Sequence, residues 1–187
     1  MFKKIVVLTL LSLLPVLSGC GGGSLTKSFM RENVSLAGIR TVAVLPFENL
    51  GGGGAARVRE FTMTQILATG LFDVVDKARV DSALRNEAID PGNPIDGATL
   101  RRLGQRLEVQ AFFLGSVQAG DESRGSASYP AVTMTLRLVE SETGTLLWQA
   151  SGRGSGYSLS SRLFGVEPKD SFQVSMELLR TLLATIR

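Results

Sequence analysis

Two apolar runs constrain what this chain can fold into. Residues 39–47 (Ile39 to Phe47, through Val42-Ala43-Val44-Leu45) and residues 109–119 (Val109 to Ala119, through Phe112-Phe113-Leu114) show almost no polar alternation. The first suits a central strand covered on both faces, and the second reads as another strongly apolar strand. Pro46 has no N–H and ends regular pairing of the first. Glu48 to Gly54 reads as a loop. Met63, Ile66, Leu67 and Gly70 then fall at i, i+3, i+4 and i+7, which predicts a helix over 55–70 that Gly70 stops. Residues 72–76 predict a short strand, and Asp76 caps a short helix through Ala88. A turn at 91–94 leads to Asp96, the expected N-cap of a helix ending near Leu107 with Leu100, Leu103 and Leu107 on one face.

The second half alternates cleanly. Val132, Met134, Leu136 and Leu138 point one way, and Thr133, Thr135 and Arg137 the other, over a strand from Tyr129 to Glu140. Gly120 to Ser128 reads as a polar hairpin loop. Glu142-Thr143-Gly144 makes a turn, and Thr145 to Gly152 returns as a strand with Trp148. Residues 152–169 are loop-rich. Asp170 and Gln173 resemble a capping box for a C-terminal helix to Ile186, with Val174, Leu178, Leu179, Leu182 and Ile186 as its buried stripe. The expected order is β-α-β-α-α-β-β-β-α: one α/β domain with a mixed sheet and helices mainly on one face.

The amino terminus has a different character. Lys3 and Lys4 precede an apolar core, Ile5 to Leu14, far too short to span a bilayer as a mature helix. Leu17-Ser18-Gly19-Cys20 follows and resembles the lipobox of bacterial lipoproteins. That resemblance implies residues 1–19 as a signal peptide, cleavage before Cys20, and acylation (palmitate among the chains) of Cys20. Several acyl chains, at about 0.8 kcal/mol per buried CH₂, anchor durably where one is marginal. In a Gram-negative host, Gly21 after the cysteine, not Asp, implies the outer membrane, with the protein facing the periplasm. Residues 20–37 read as the lipidated terminus and a flexible tether holding the domain a few nanometres from the lipid, with a short helical turn near Met30 and Val34. The α/β domain then occupies 38–187.

Composition narrows the chemistry. The chain has 187 residues and no histidine, which rules out Ser-His-Asp and Cys-His triads and histidine metal sites. Its one cysteine is assigned to lipid, leaving no disulfide, thiolate nucleophile or zinc cluster. Without Lys3 and Lys4 the 20 basic residues nearly balance the 17 acidic ones, so there is no footprint for nucleic acid.

The individual motifs point to structure before chemistry. Gly51 to Gly54 lacks the Gly-Lys-Ser/Thr ending of a phosphate loop and reads as a flexible strand-to-helix loop, with anion binding by its amides as the lesser reading. Asp121 with Glu122, and Glu140 with Glu142, are neighbours at strand ends where water solvates them, not carboxylates facing across a cleft. Asp73 and Asp76 flank a strand and cap or turn. Phe112, Phe113 and Trp148 read as core. Tyr157, Leu159, Leu163 and Phe164 sit in a Gly/Ser-rich segment with no period to bury them, and are the expected partner surface, balanced against folding back onto the domain.

The segments TVAVLPFENL, GLFDVVDKARVDSAL, AFFLGSVQAG and TMTLRLVESETGTLLWQASG, in that order, resemble the CsgG-like, curli-assembly-related superfamily of periplasmic lipoproteins, in its branch of small members. The resemblance implies an α/β domain without cofactor, metal or catalytic residues. It implies a non-enzymatic accessory in assembly, secretion or transport of an envelope structure. Its partners would be envelope proteins, or the chain itself; the alternative is an activator of a peptidoglycan synthase or another envelope enzyme. No nucleic acid or small-molecule substrate is inferred. A curli-type channel needs long membrane hairpins, and the loops at 86–96, 120–128 and 152–169 are too short or glycine-rich to supply them.

Overall fold

The computed structural model describes residues 25–32, 34–90, 93, 95–158 and 166–186. In chain order these form β1 (Leu25–Met30), a 3₁₀ turn (Leu36–Gly38), β2 (Thr41–Val44), β3 (Glu48–Asn49), α1 (Ala55–Thr69) and β4 (Asp73–Val74). There follow α2 (Lys77–Asn86), α3 (Gly97–Leu107), β5 (Ala111–Arg124), β6 (Ala127–Glu140), β7 (Leu146–Ser155) and α4 (Ser171–Leu183). The strands make one mixed sheet of order β1-β7-β6-β5-β2-β4, with β3 also on β5. The segment β1-β7-β6-β5 is antiparallel, whereas β2, β3 and β4 run parallel to β5.

Strand alternation sorts the core onto two faces. Val42, Val44, Phe113, Leu136 and Trp148 meet α1 and α4 on one side. Ala43, Leu45, Phe112 and Val139 meet α2 and α3 on the other. Both uninterrupted apolar runs are thus strands covered twice, as the first suggests. The helices expected mainly on one face are therefore divided two and two, over the larger and the smaller core. The α/β class, the mixed sheet and, apart from the added β1 and β3, the element order are as expected.

Several boundaries move. Residues 25–30, expected as tether, are β1, paired along its length with β7 from Leu25↔Arg153 to Met30↔Trp148. Residues 25–30 thus belong to the domain expected only from 38, and Met30 sits in a strand, not a helical turn. Glu48–Asn49 add a short pairing to β5 inside the expected loop. The span 120–128 is not a loop: β5 and β6 stay paired to Arg124↔Ala127, and β7 continues to Ser155. Leu67, placed on the buried stripe of α1, is 56% exposed. The helix instead turns Ala55, Val58, Arg59, Thr62 and Ile66 inward, a stripe diluted by polar residues.

Caps explain where the helices start. Asp76, Asp96 and Asp170 each accept from a backbone N–H of the first turn, and Asp170 with Gln173 completes the capping box. The helix α4 lies directly on β7. A Cβ built at Gly152 would fall 2.9 Å from Leu178 Cδ1, closer than packed carbons come. Leu178, Leu179 and Leu182 are fully buried there. Trp148 sits edge-on to Phe113 at 6.1 Å, and its indole N–H donates to Thr185 Oγ1 at 2.9 Å, so the ring ties the sheet to the end of α4.

Leu182→Ala should lower unfolding free energy by about 2–5 kcal/mol, as buried leucine truncations do. Urea denaturation measures it. A loss below about 0.5 kcal/mol, the range of surface changes, would mean that α4 is not docked.

Candidate interaction surface

The long β5–β6 hairpin ends in a two-residue turn, Gly125-Ser126. Only Gly125 of that turn has positive φ, 66°, the type II′ pattern that suits strand twist. The hairpin tip gathers side chains from three strands. Tyr129 on β6 and Tyr157 beyond β7 stack edge to face, with centroids 5.3 Å apart. The Arg124 guanidinium lies 4.6 Å from the Tyr157 ring centre, a cation–π contact. An open hollow of about 460 Å³ lies among Arg124, Gly125, Ser126, Tyr129 and Tyr157.

Glu122 knits this tip together. Its carboxylate accepts from Ser155 Oγ at 2.6 Å, from Arg153 at 2.8 Å and from Arg124 Nε at 3.1 Å. Ser155 Oγ in turn accepts the Tyr157 N–H at 3.1 Å. The Ser155 hydrogen bond, the largest single cause, acts with Arg124 and Arg153 to hold the Glu122 carboxyl below its ordinary 4.5, against a desolvation that pulls upward. Glu122 is therefore not the water-solvated neighbour of Asp121 that the sequence suggested: its side chain is only 13% exposed. Just before Tyr157 the chain still lies against the sheet. Gly156 N–H donates to Pro130 O at 2.7 Å, and a Cβ at Gly156 would sit 2.4 Å from Lys169 O.

Of the residues expected as partner surface, Tyr157 is half-buried at the tip, against Tyr129 and Arg124. Leu159, Leu163 and Phe164 lie outside the described residues, as does Cys20. Arg124 has no place in the sequence reading, Glu122 enters it only as a solvated carboxylate and Tyr129 only as the start of a strand, because Gly120 and Gly125 make 120–128 look like loop. The two-residue Gly-Ser spacing between strands was the available signal.

The other motifs resolve into structure. All four glycines of Gly51–Gly54 have positive φ, and Gly52 packs against the Ala119 carbonyl, so the loop is built for tight passage over β5. Glu140 accepts from the Thr143 hydroxyl in the β6–β7 turn. Asp73 meets Arg40, exposed, at 3.9 Å. Among the described residues no group of three or more acidic, cysteine or histidine side chains could hold a metal. Among the same residues no helix is long and apolar enough to cross a membrane.

Because Glu122 is depressed in the fold, the stability it contributes is present above pH 4.5 and lost as pH falls through its lower native value. Glu122→Gln should therefore lower the urea midpoint at pH 7, and the gap to wild type should narrow steadily below pH 4.5. Equal midpoints at pH 7 would show that the network adds no stability.

No protein-family profile matches the chain, and no curated protein matches it in sequence. Solved structures share its fold. The PelC dodecamer from Paraburkholderia phytofirmans superposes with TM-score 0.57 at 14% identity, over 87% of this chain and 96% of that one. Lipoprotein GNA1162 from Neisseria meningitidis gives TM-score 0.55 at 19% identity, over 79% and 94%. The LpoB C-terminal domain from Escherichia coli is looser, at TM-score 0.46 and 14% identity over 76% and 92%. The likeness is of fold, broadly to bacterial lipoprotein-like proteins, and nothing in it is specific to the curli-secretion branch.

Proposed function

We propose that this protein is a lipid-anchored accessory of the outer membrane, facing the periplasm. It acts without catalysis in the assembly, secretion or transport of an envelope structure, through contacts with envelope proteins or with copies of itself. The observation that carries this reading is the lipobox Leu17 to Cys20, only a few residues ahead of an α/β domain with the fold of a bacterial lipoprotein. The dodecameric state named for PelC, a neighbour of the same fold, supports self-association as the form those contacts take. The hairpin carries Asp121, Glu122 and Arg124 in its outer third, unlike the outward apolar band of a membrane strand, and this supports a role other than that of a pore.

Cys20→Ser should abolish acyl labelling and release the protein from the membrane fraction. A variant that stays membrane-bound without label would sink the lipoprotein reading. The acylated protein, sized in detergent and crosslinked in cells, should give multiples of its own mass or envelope-protein adducts. Capture of a peptidoglycan synthase with a monomeric chain would move the function to the activator alternative.

A further inference from the structure

The start of β1 and the tip of the β5–β6 hairpin lie at the same end of the sheet. Leu25 pairs with Arg153, Arg153 with Thr133, and Thr133 with Gln118. From that level β5 continues six residues to Arg124, a further reach of about 20 Å at the rise of a strand. β1 runs away from the tip, so the chain before Leu25 enters from the tip's side. Between Leu25 and Cys20 lie only residues 21–24. Fully extended, that connection spans at most about 18 Å. An acylated Cys20 therefore cannot lie appreciably farther out than the hairpin tip.

We infer that the tip rests in the headgroup layer of the membrane that carries the anchor, with Arg124, Tyr129 and Tyr157 as its contact. This rests on the lipoprotein reading above. The chemistry of the tip fits that surface. Tyrosine places an apolar ring and a polar hydroxyl at the level where hydrocarbon meets water. Arginine reaches lipid phosphates while its stem lies along apolar surface. Asp121 and Glu122 offset Arg124 and Arg153, so the contact draws on interfacial aromatics and hydrogen bonding more than on net charge. The same carboxylates keep the strands from going deeper. The β6–β7 turn at Glu142 is at the other end of the sheet, roughly 45 Å away along the fourteen-residue β6, and points into the periplasm.

The test uses the full acylated protein in phosphatidylethanolamine–phosphatidylglycerol vesicles. Acylation leaves no free native thiol, so Ser126→Cys and Glu142→Cys each take one environment-sensitive fluorophore. Flotation of wild type against Cys20→Ser reports the anchor separately. The expected result is quenching of the Ser126 probe by headgroup nitroxide lipids, no quenching of the Glu142 probe, and loss of most of the Ser126 quenching in Arg124→Glu with flotation unchanged. A chain that floats through Cys20 while its Ser126 probe stays in water overturns the tip contact and leaves the lipoprotein reading standing. Quenching at both sites means that the domain lies flat, and overturns it too. A wild-type chain that does not float takes both down together.

Discussion

Fourteen residue pairs join β5 to β6, from Ala111↔Glu140 to Arg124↔Ala127, and every other element is placed by that ladder. Its parallel side seats β2, β3 and β4. Its antiparallel side seats β7 and, through it, β1. Because side chains alternate along it, adjacent Phe112 and Phe113 feed opposite cores, and both are fully buried. Phe112 meets the α2–α3 layer and Phe113 the Phe72 and Trp148 rings beneath α1 and α4. A one-residue slip of register would exchange the two cores and expose the polar face of β6 to α4.

The far edge of the sheet is handled differently. β4 has only two residues and pairs with Thr41 and Val42, so the outer side of Val44 lacks a strand. Arg59 of α1 fills that place. Its Nε donates to Val44 O at 2.9 Å and its Nη1 meets Asp81 of α2 at 2.6 Å, with the side chain 4% exposed. A helix on one face is thereby stitched to a helix on the other around an incomplete edge. One cost is visible: Arg59 Nη2 is buried without a hydrogen-bond partner among the described residues, the sort of polar group that needs a local reason to persist.

What could be read from the sequence follows from how local the signal is. Asp76, Asp96 and Asp170 cap their helices because a cap is decided within four residues. The doubly covered strands were visible because burial on both faces removes alternation. The stripe of α1 is hidden because its buried face includes Thr62, whose hydroxyl is satisfied one turn back at Val58 O, and Arg59, whose partners Val44 and Asp81 are distant in sequence. β1 was missed for the same reason: its residues LTKSFM have no strong period, and their pairing is set by β7, over a hundred residues later. At the tip, Tyr157 stood out as an aromatic in a polar segment. Tyr129 and Arg124 became partners only once the hairpin was seen to continue past Gly120.

β1 sits at the edge, held by one neighbouring strand and by α4, and edge strands open at far lower free energy than the core. With Cys20 acylated, that gives the connection two lengths. Closed, four residues separate the cysteine from the sheet; with β1 peeled from β7, residues 25–30 join that leash, up to the segment of Val34, Leu36 and Ile39 that packs on the larger core. Peeling also bares the backbone edge of β7. The strand that holds the domain close is thus a reserve of slack, and drawing on it would lift the body away from the lipid while offering a vacant edge to another chain.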